Sequence, residues 1–163
     1  MKKFMLIVSI CLLASSAFAD NKPFQLSLFP EVAIHAKDTR IEGVTLNIWG
    51  ENPQSAFALG FVNGSTGDSA GFSLGLFNYA QNYKGVEWAW VNVASGNFIG
   101  WQYGFFNYAG SFSGLQFGAV NFAQTAGSGL QIGFINIVAK NQWFSGLPNE
   151  LAKGMIFVNW RFE

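Results

Sequence analysis

GFSLGLFNYA (residues 71–80), GVEWAWVNVA (85–94), GWQYGFFNYA (100–109), GLQFGAVNFA (114–123) and GLQIGFINIV (129–138) are five versions of one ten-residue block. Each carries an asparagine at its eighth position, and the series Asn63, Asn78, Asn92, Asn107, Asn121, Asn136 is spaced 15, 14, 15, 14 and 15 residues. Weaker copies lie at 56–63 and around Asn47, and a divergent last one runs over 154–162, making about eight segments. A short fixed period of this kind marks a repeat architecture, in which no single unit buries its own apolar side chains. The repeats span about 42–138.

Inside a block the apolar period is two, which is the period of a strand. In the first block Phe72, Leu74, Leu76 and Asn78 point one way, and Ser73, Gly75, Phe77 and Tyr79 the other. The first face is large and apolar. The second opens on a polar or small residue (Ser73, Glu87, Gln102, Gln116, Gln131), followed two positions later by Gly or Ala. Gly, Ser, Asn and Gln fill the stretches between blocks, where tight turns are expected. Glycine density with aromatic and β-branched content excludes helix. The asparagines at strand ends read as structural residues that satisfy turn amides.

Alternation of 15 and 14 implies a 29-residue unit of two strands and two different turns. In an antiparallel meander successive turns lie at opposite ends of the sheet, so two turn types are natural. The sequence therefore predicts an all-β, antiparallel up-and-down meander of about eight strands, closing into a small barrel of the outer-membrane type. About nine strand residues per repeat suit a tilted membrane strand, and closure removes exposed edges. Ile156, Val158, Trp160 and Phe162 alternate towards the end, as in the closing strand of such barrels, although Glu163 follows. The alternative is a β-solenoid of 14–15-residue coils, which hides two faces and stacks the asparagines into a ladder.

Composition agrees with an unusual surface. The chain is 50% hydrophobic and 11% charged, against about 25% charged in an average soluble domain. The first nineteen residues read as a signal peptide: Lys2 and Lys3, an apolar run from Phe4 to Ala14, then Ala17-Phe18-Ala19 before a cut at Asp20. The run is too short to span a bilayer. Its Cys11 is the single cysteine, so residues 20–163, read as one domain, have no disulfide, thiolate nucleophile or cysteine metal ligand. Without Lys2 and Lys3 the nine basic residues become seven against nine acidic, a net charge of about −2, and nucleic acid is excluded as a partner.

The blocks GLQIGFINIV and GLQFGAVNFA resemble a family of bacterial envelope proteins built from tandem Gly-Leu-Gln-Ile-Gly-Leu-Ile-Asn-like surface repeats. FQLSLFPEVA (24–33) and the closing IFVNWRF share in the resemblance. It implies export and surface or outer-membrane placement, and no reaction. The pattern Gln-x-Gly-x-x-Asn-x-Ala at Gln102–Ala109 and Gln116–Ala123 is also similar to the curli amyloid repeat, whose units are longer and more polar.

No constellation of catalytic type stands out. Gly71-Phe72-Ser73-Leu74-Gly75 matches a nucleophile elbow, but Ser73 sits mid-strand and the single histidine, His35, precedes it. His35, Asp38 and Glu42 form a sparse set in a polar linker rather than a metal site. Glu87 is the single acid in the repeated strands, and one carboxylate cannot supply both halves of acid–base catalysis. Tyr79, Trp101 and Tyr108 are candidates for stacking on sugar rings, and Trp88, Trp90, Trp101 and Tyr103 for an aromatic belt at a membrane interface. The reading is a non-enzymatic, exported outer-membrane or surface repeat protein without cofactor, with the lipid bilayer as expected partner. The second reading is a secreted or surface-attached stacked β module that binds glycan or protein, or self-assembles.

Overall fold

A computed structural model describes residues 21–163; the signal peptide expected over residues 1–19 and its cut at Asp20 lie outside the described residues. Nine strands form one sheet: β1 Lys22–Phe29, β2 Val32–Ala33, β3 Ile41–Asn52, β4 Ser55–Leu74, β5 Phe77–Trp88, β6 Val91–Tyr103, β7 Phe106–Phe117, β8 Val120–Val138 and β9 Gly154–Arg161. Their order is β2-β1-β3-β4-β5-β6-β7-β8-β9. Every pairing from β1–β3 through β7–β8 is parallel. Only β2 on β1 and β9 on β8 are antiparallel.

The expected antiparallel barrel is therefore wrong, and the chain is a parallel β-solenoid. Asn78 pairs with Asn92, Asn92 with Asn107 and Asn107 with Asn121, so each block lies on its own copy. In a meander neighbouring strands run in opposite directions, and residues near one strand end alternate between top and bottom of the sheet. Identical columns are available only when strands run the same way.

The 14/15 alternation, which argued for two turn types, has another origin. In 15-residue coils the inward residues Ser65 and Ser69, or Ala94 and Phe98, are four apart; in 14-residue coils Ala80 and Tyr83, or Ala109 and Phe112, are three apart. The register shifts fall there, between Ser65 and Asp68, Ala80 and Tyr83, and Ala94 and Asn97. One corner of the coil takes up the extra residue as a bulge, which leaves one position unpaired and the rest of the ladder intact.

A second corner corrects the assignment of faces. Ser73 and Asn78, placed on opposite faces by strict alternation, are both buried, and both Leu76 and Phe77 between them are exposed. The chain bends at Gly75–Leu76 and at the equivalent positions 89–90, 104–105 and 118–119. Two consecutive residues point outward at the bend, and the parity of the strand flips. The asparagines thus share the inside with the serine, glutamate and glutamine column, while the large apolar residues face out.

Glycine is required where the coil turns into this segment. Gly71, Gly85, Gly100 and Gly114 have φ of 123°, 142°, 135° and 126°, values that L side chains rarely adopt. A Cβ on Gly100 would strike the carbonyl oxygen of Gly85, and one on Gly114 that of Gly100. Each coil thus lies in the space vacated by the missing side chain of the next.

Both ends are closed. At the start, β2 covers part of β1, and Gln25 Nε2 donates to the His35 carbonyl at 2.8 Å while His35 N donates to Gln25 Oε1 at 2.9 Å. Asn52 Nδ2 donates to the carbonyls of Ala36 and Thr39. At the other end β9 reverses onto β8, and the segment before it is tied by Asn141 Nδ2 to the Ala152 carbonyl and by a 3.5 Å ion pair between Arg161 and Glu150. β2 on β1 and the segment around Glu150 on the end of β9 shorten the edge that each terminal strand offers to another chain.

Candidate functional site

The inside of the stack is narrow, with polar columns beside an apolar cluster that includes Tyr83, Phe98 and Phe112. Asn47, Asn63, Asn78, Asn92, Asn107, Asn121 and Asn136 form one ladder, each Nδ2 donating to the next Oδ1 at 2.8–3.0 Å. The second Nδ2 hydrogen is used on backbone: Asn92 donates to Tyr103 O, Asn107 to Phe117 O and Asn121 to Ile132 O. Those carbonyls lie next to the bend and also accept the backbone N–H groups of Ala89, Gly104 and Gly118. All six asparagines singled out by their spacing, Asn63, Asn78, Asn92, Asn107, Asn121 and Asn136, are buried in this ladder and lie within strands. A column of identical amides satisfies buried polar groups that would otherwise cost about 1–3 kcal/mol each.

A second ladder runs beside it. Gln131 Nε2 donates to Gln116 Oε1 at 2.7 Å, Gln116 to Gln102 at 2.7 Å and Gln102 to Glu87 Oε2 at 2.9 Å. The same amides donate to the carbonyls of Ile137, Phe122 and Tyr108. Glu87 ends the series as its only ionisable member. Burial pushes its carboxyl up to about 7, and the Gln102 amide opposes the shift. An ionised Glu87 has no proton for the carbonyl that the glutamines reach six residues on. Tyr83, stacked on Phe98 with centroids 6.2 Å apart, has a buried hydroxyl without a hydrogen-bond partner. Burial, then the Glu87 charge, raises its pKa.

Ser73 belongs to the same interior, donating to Asn78 Oδ1 at 2.9 Å, whereas His35 lies beyond β2 in the amino-terminal cap. Glu42 pairs with Arg40 at 3.4 Å, and among the described residues no three His, Cys, Asp or Glu side chains converge as metal ligands. Trp49 Nε1 donates to the Tyr79 hydroxyl at 3.1 Å, and that hydroxyl donates to Glu51 at 2.6 Å. Burial and the Glu51 bond raise Tyr79 to about 12. Tyr108 stacks on Phe122 with centroids 5.5 Å apart and accepts from Gln124 Nε2. The rings proposed for sugar stacking are thus not gathered, since Trp101 stands in a different column from Tyr79 and Tyr108.

The outside is where the large apolar residues went. Leu74, Trp88, Tyr103, Phe117 and Ile132 form one column, in register from coil to coil. Leu76, Trp90, Phe105, Ala119 and Phe134 form the next, across the bend. Trp90 is 68% exposed, Phe105 63% and Phe134 70%. Between the two columns runs a groove of about 650 Å³ whose floor is Gly75, Ala89, Gly104, Gly118 and Gly133. It continues past Leu74 and Leu76 into a second stretch of about 530 Å³ flanked by Leu59, Phe61, Leu46 and Ile48. Trp88, Trp90 and Tyr103 from the expected aromatic belt line it, and Trp101 stands one column away. The groove itself was hidden from the sequence by the parity flip. Its visible trace was a pair of adjacent apolar residues after each small one: Leu76-Phe77, Trp90-Val91, Phe105-Phe106, Phe134-Ile135.

No protein family, curated protein or solved structure matches the chain. The fold defines a capped β-solenoid with amide ladders inside and an apolar flank.

Proposed function

We propose that this is an exported, non-enzymatic β-solenoid module that acts by holding a partner against its flank. The observation that carries the reading is the placement of Trp90, Phe105 and Phe134, more than three-fifths exposed, along a continuous groove in a chain whose amides fill the inside. Exposed apolar patches of this extent mark interaction sites on soluble proteins. The buried state of Ser73, the isolation of Glu87 and the distribution of His35, Asp38 and Glu42 support a binding role over a catalytic one. The caps at β2 and β9 favour binding through the side over open-ended stacking. Export is supported by the first nineteen residues and by the resemblance to envelope repeat proteins.

Fractionation of cells expressing the full chain tests this reading. Recovery of a shortened protein in the envelope or the medium, with amino-terminal sequencing starting near Asp20, is expected. Recovery of the uncut chain in the cytoplasm would sink the proposal.

A further inference from the structure

The outward positions divide by chemistry around the coil. At the bulged corner they are Asp68, Asn82, Lys84, Asn97, Ser111 and Thr125, with one exposed apolar residue, Ile99, in register with Lys84, and Arg40 reaches in to donate to the Asp68 carbonyl. Across the coil, the two columns that flank the groove hold no charged residue between Leu26 and Phe134. The rod is amphipathic in cross-section, with a wet corner and a dry one. With strands about 4.8 Å apart, the dry side extends for roughly 30 Å from β1 to β8.

Chemistry narrows what covers it. The indole N–H groups of Trp88 and Trp90 and the hydroxyl of Tyr103 are the hydrogen-bonding side-chain groups among the outward residues lining the groove, too few along its length to match the many hydroxyls of a glycan. A peptide strand would need a free ladder edge, and the strands β3 to β8 under the groove are already paired on both sides. A second copy would need shape complementarity and about one hydrogen bond per 100–200 Å². The ridge Leu76, Trp90, Phe105, Ala119, Phe134 is ragged, and the groove offers only the two indole N–H groups and the Tyr103 hydroxyl. Fluid hydrocarbon needs neither, and exposed tryptophans favour the boundary between water and acyl chains. At one end Phe157 holds φ of 67° within β9 and lines the groove while 65% exposed. A phenylalanine in left-handed backbone is a strained arrangement of the kind found at functional sites, and here it adds one more ring to the dry side.

We propose that the solenoid lies sideways on a lipid bilayer, its bend groove filled by acyl chains and its bulged corner in water. This rests on the reading that the flank is the working surface, and it adds the partner. Because the dry side is uncharged, binding is driven by apolar burial and does not depend on anionic headgroups.

The test uses the exported protein and neutral phosphatidylcholine vesicles. Flotation with the vesicles is expected at about 0.1 M and about 1 M salt alike, with tryptophan emission quenched by acyl chains brominated near the headgroup. The double variant Trp90→Glu/Phe105→Glu is expected to lose at least about tenfold in vesicle binding, with an unchanged melting curve, while Ser128→Glu floats like the native chain. Native protein that neither floats nor is quenched overturns the proposal. So does a light-scattering mass of two copies that the double variant splits, since the flank is then covered by another chain. Quenching of the native protein stands even if the double variant fails to fold. Failure on vesicles with export intact removes the lipid and leaves the flank reading; a cytoplasmic, uncut chain removes both.

Discussion

The interior and the flank of this solenoid reverse the usual distribution of side chains. Inside stand asparagine, glutamine, serine and alanine around the buried rings of Tyr83, Phe98 and Phe112; outside stand the tryptophans and most of the phenylalanine and leucine. In an ordinary domain the apolar core supplies most of the stabilisation and the polar surface is tolerant. Here the inside is thin, so close stacking and the amide ladders, with a small apolar cluster around Phe98 and Phe112, take the place of a thick core. The lesson is that specificity sits in the small and polar residues, while the large apolar ones are available for something other than folding.

That contrast can be broken from the inside. Gly100→Ala combines a backbone at φ 135° with a clash against the Gly85 carbonyl, and the expected loss is on the order of 4 kcal/mol. Chemical denaturation would detect it as a lowered midpoint or as failure to fold. Asn107→Ala comes next, at about 3 kcal/mol. It removes the acceptor of Asn92 and the donor to Asn121, both buried, and the donor to the part-buried Phe117 carbonyl.

Glu87→Gln sharpens the comparison, since it completes the amide ladder. The buried carboxyl titrates near 7 in the fold, raised from 4.5 by burial. The folded state therefore holds the proton more tightly than the unfolded chain. Stability is unpenalised below about pH 4.5, falls as pH rises towards 7, and is level above that. Glu87→Gln should gain on the order of 3 kcal/mol at pH 8 and little at pH 4, read as melting temperatures across that range. A native protein whose melting point does not fall between pH 5 and 8 would show that Glu87 is hydrated. The smallest effect belongs to the flank. Trp101→Ser, at a residue 62% exposed, should shift stability by no more than about 0.5 kcal/mol, although the same exchange in a normal core would unfold the protein.

Strand periodicity, block boundaries and the asparagine column were legible in the residues, because hydrogen-bonded stacking demands the same residue at the same place in every coil. The direction of the strands was not read correctly, since the 14/15 spacing pointed to two kinds of turn. A bulge between Ala80 and Tyr83 or between Ala94 and Asn97 takes up that residue at one corner. The faces were misassigned beyond Gly75, because alternation was carried through a bend at which Leu76 and Phe77 both point outward. The groove followed from that flip and could not be seen without it. The barrel reading failed for the reason that made the composition odd: the apolar residues do face outward, but around stacked coils rather than around a closed cylinder.

The antiparallel closures at β2 and β9 turn the stack into a ruler. Coils between them are interchangeable in register, so inserting one further 29-residue pair would lengthen the dry flank by about 10 Å and leave both ends as they are. The length of the flank is set by counting repeats, and the caps decide where the counting stops.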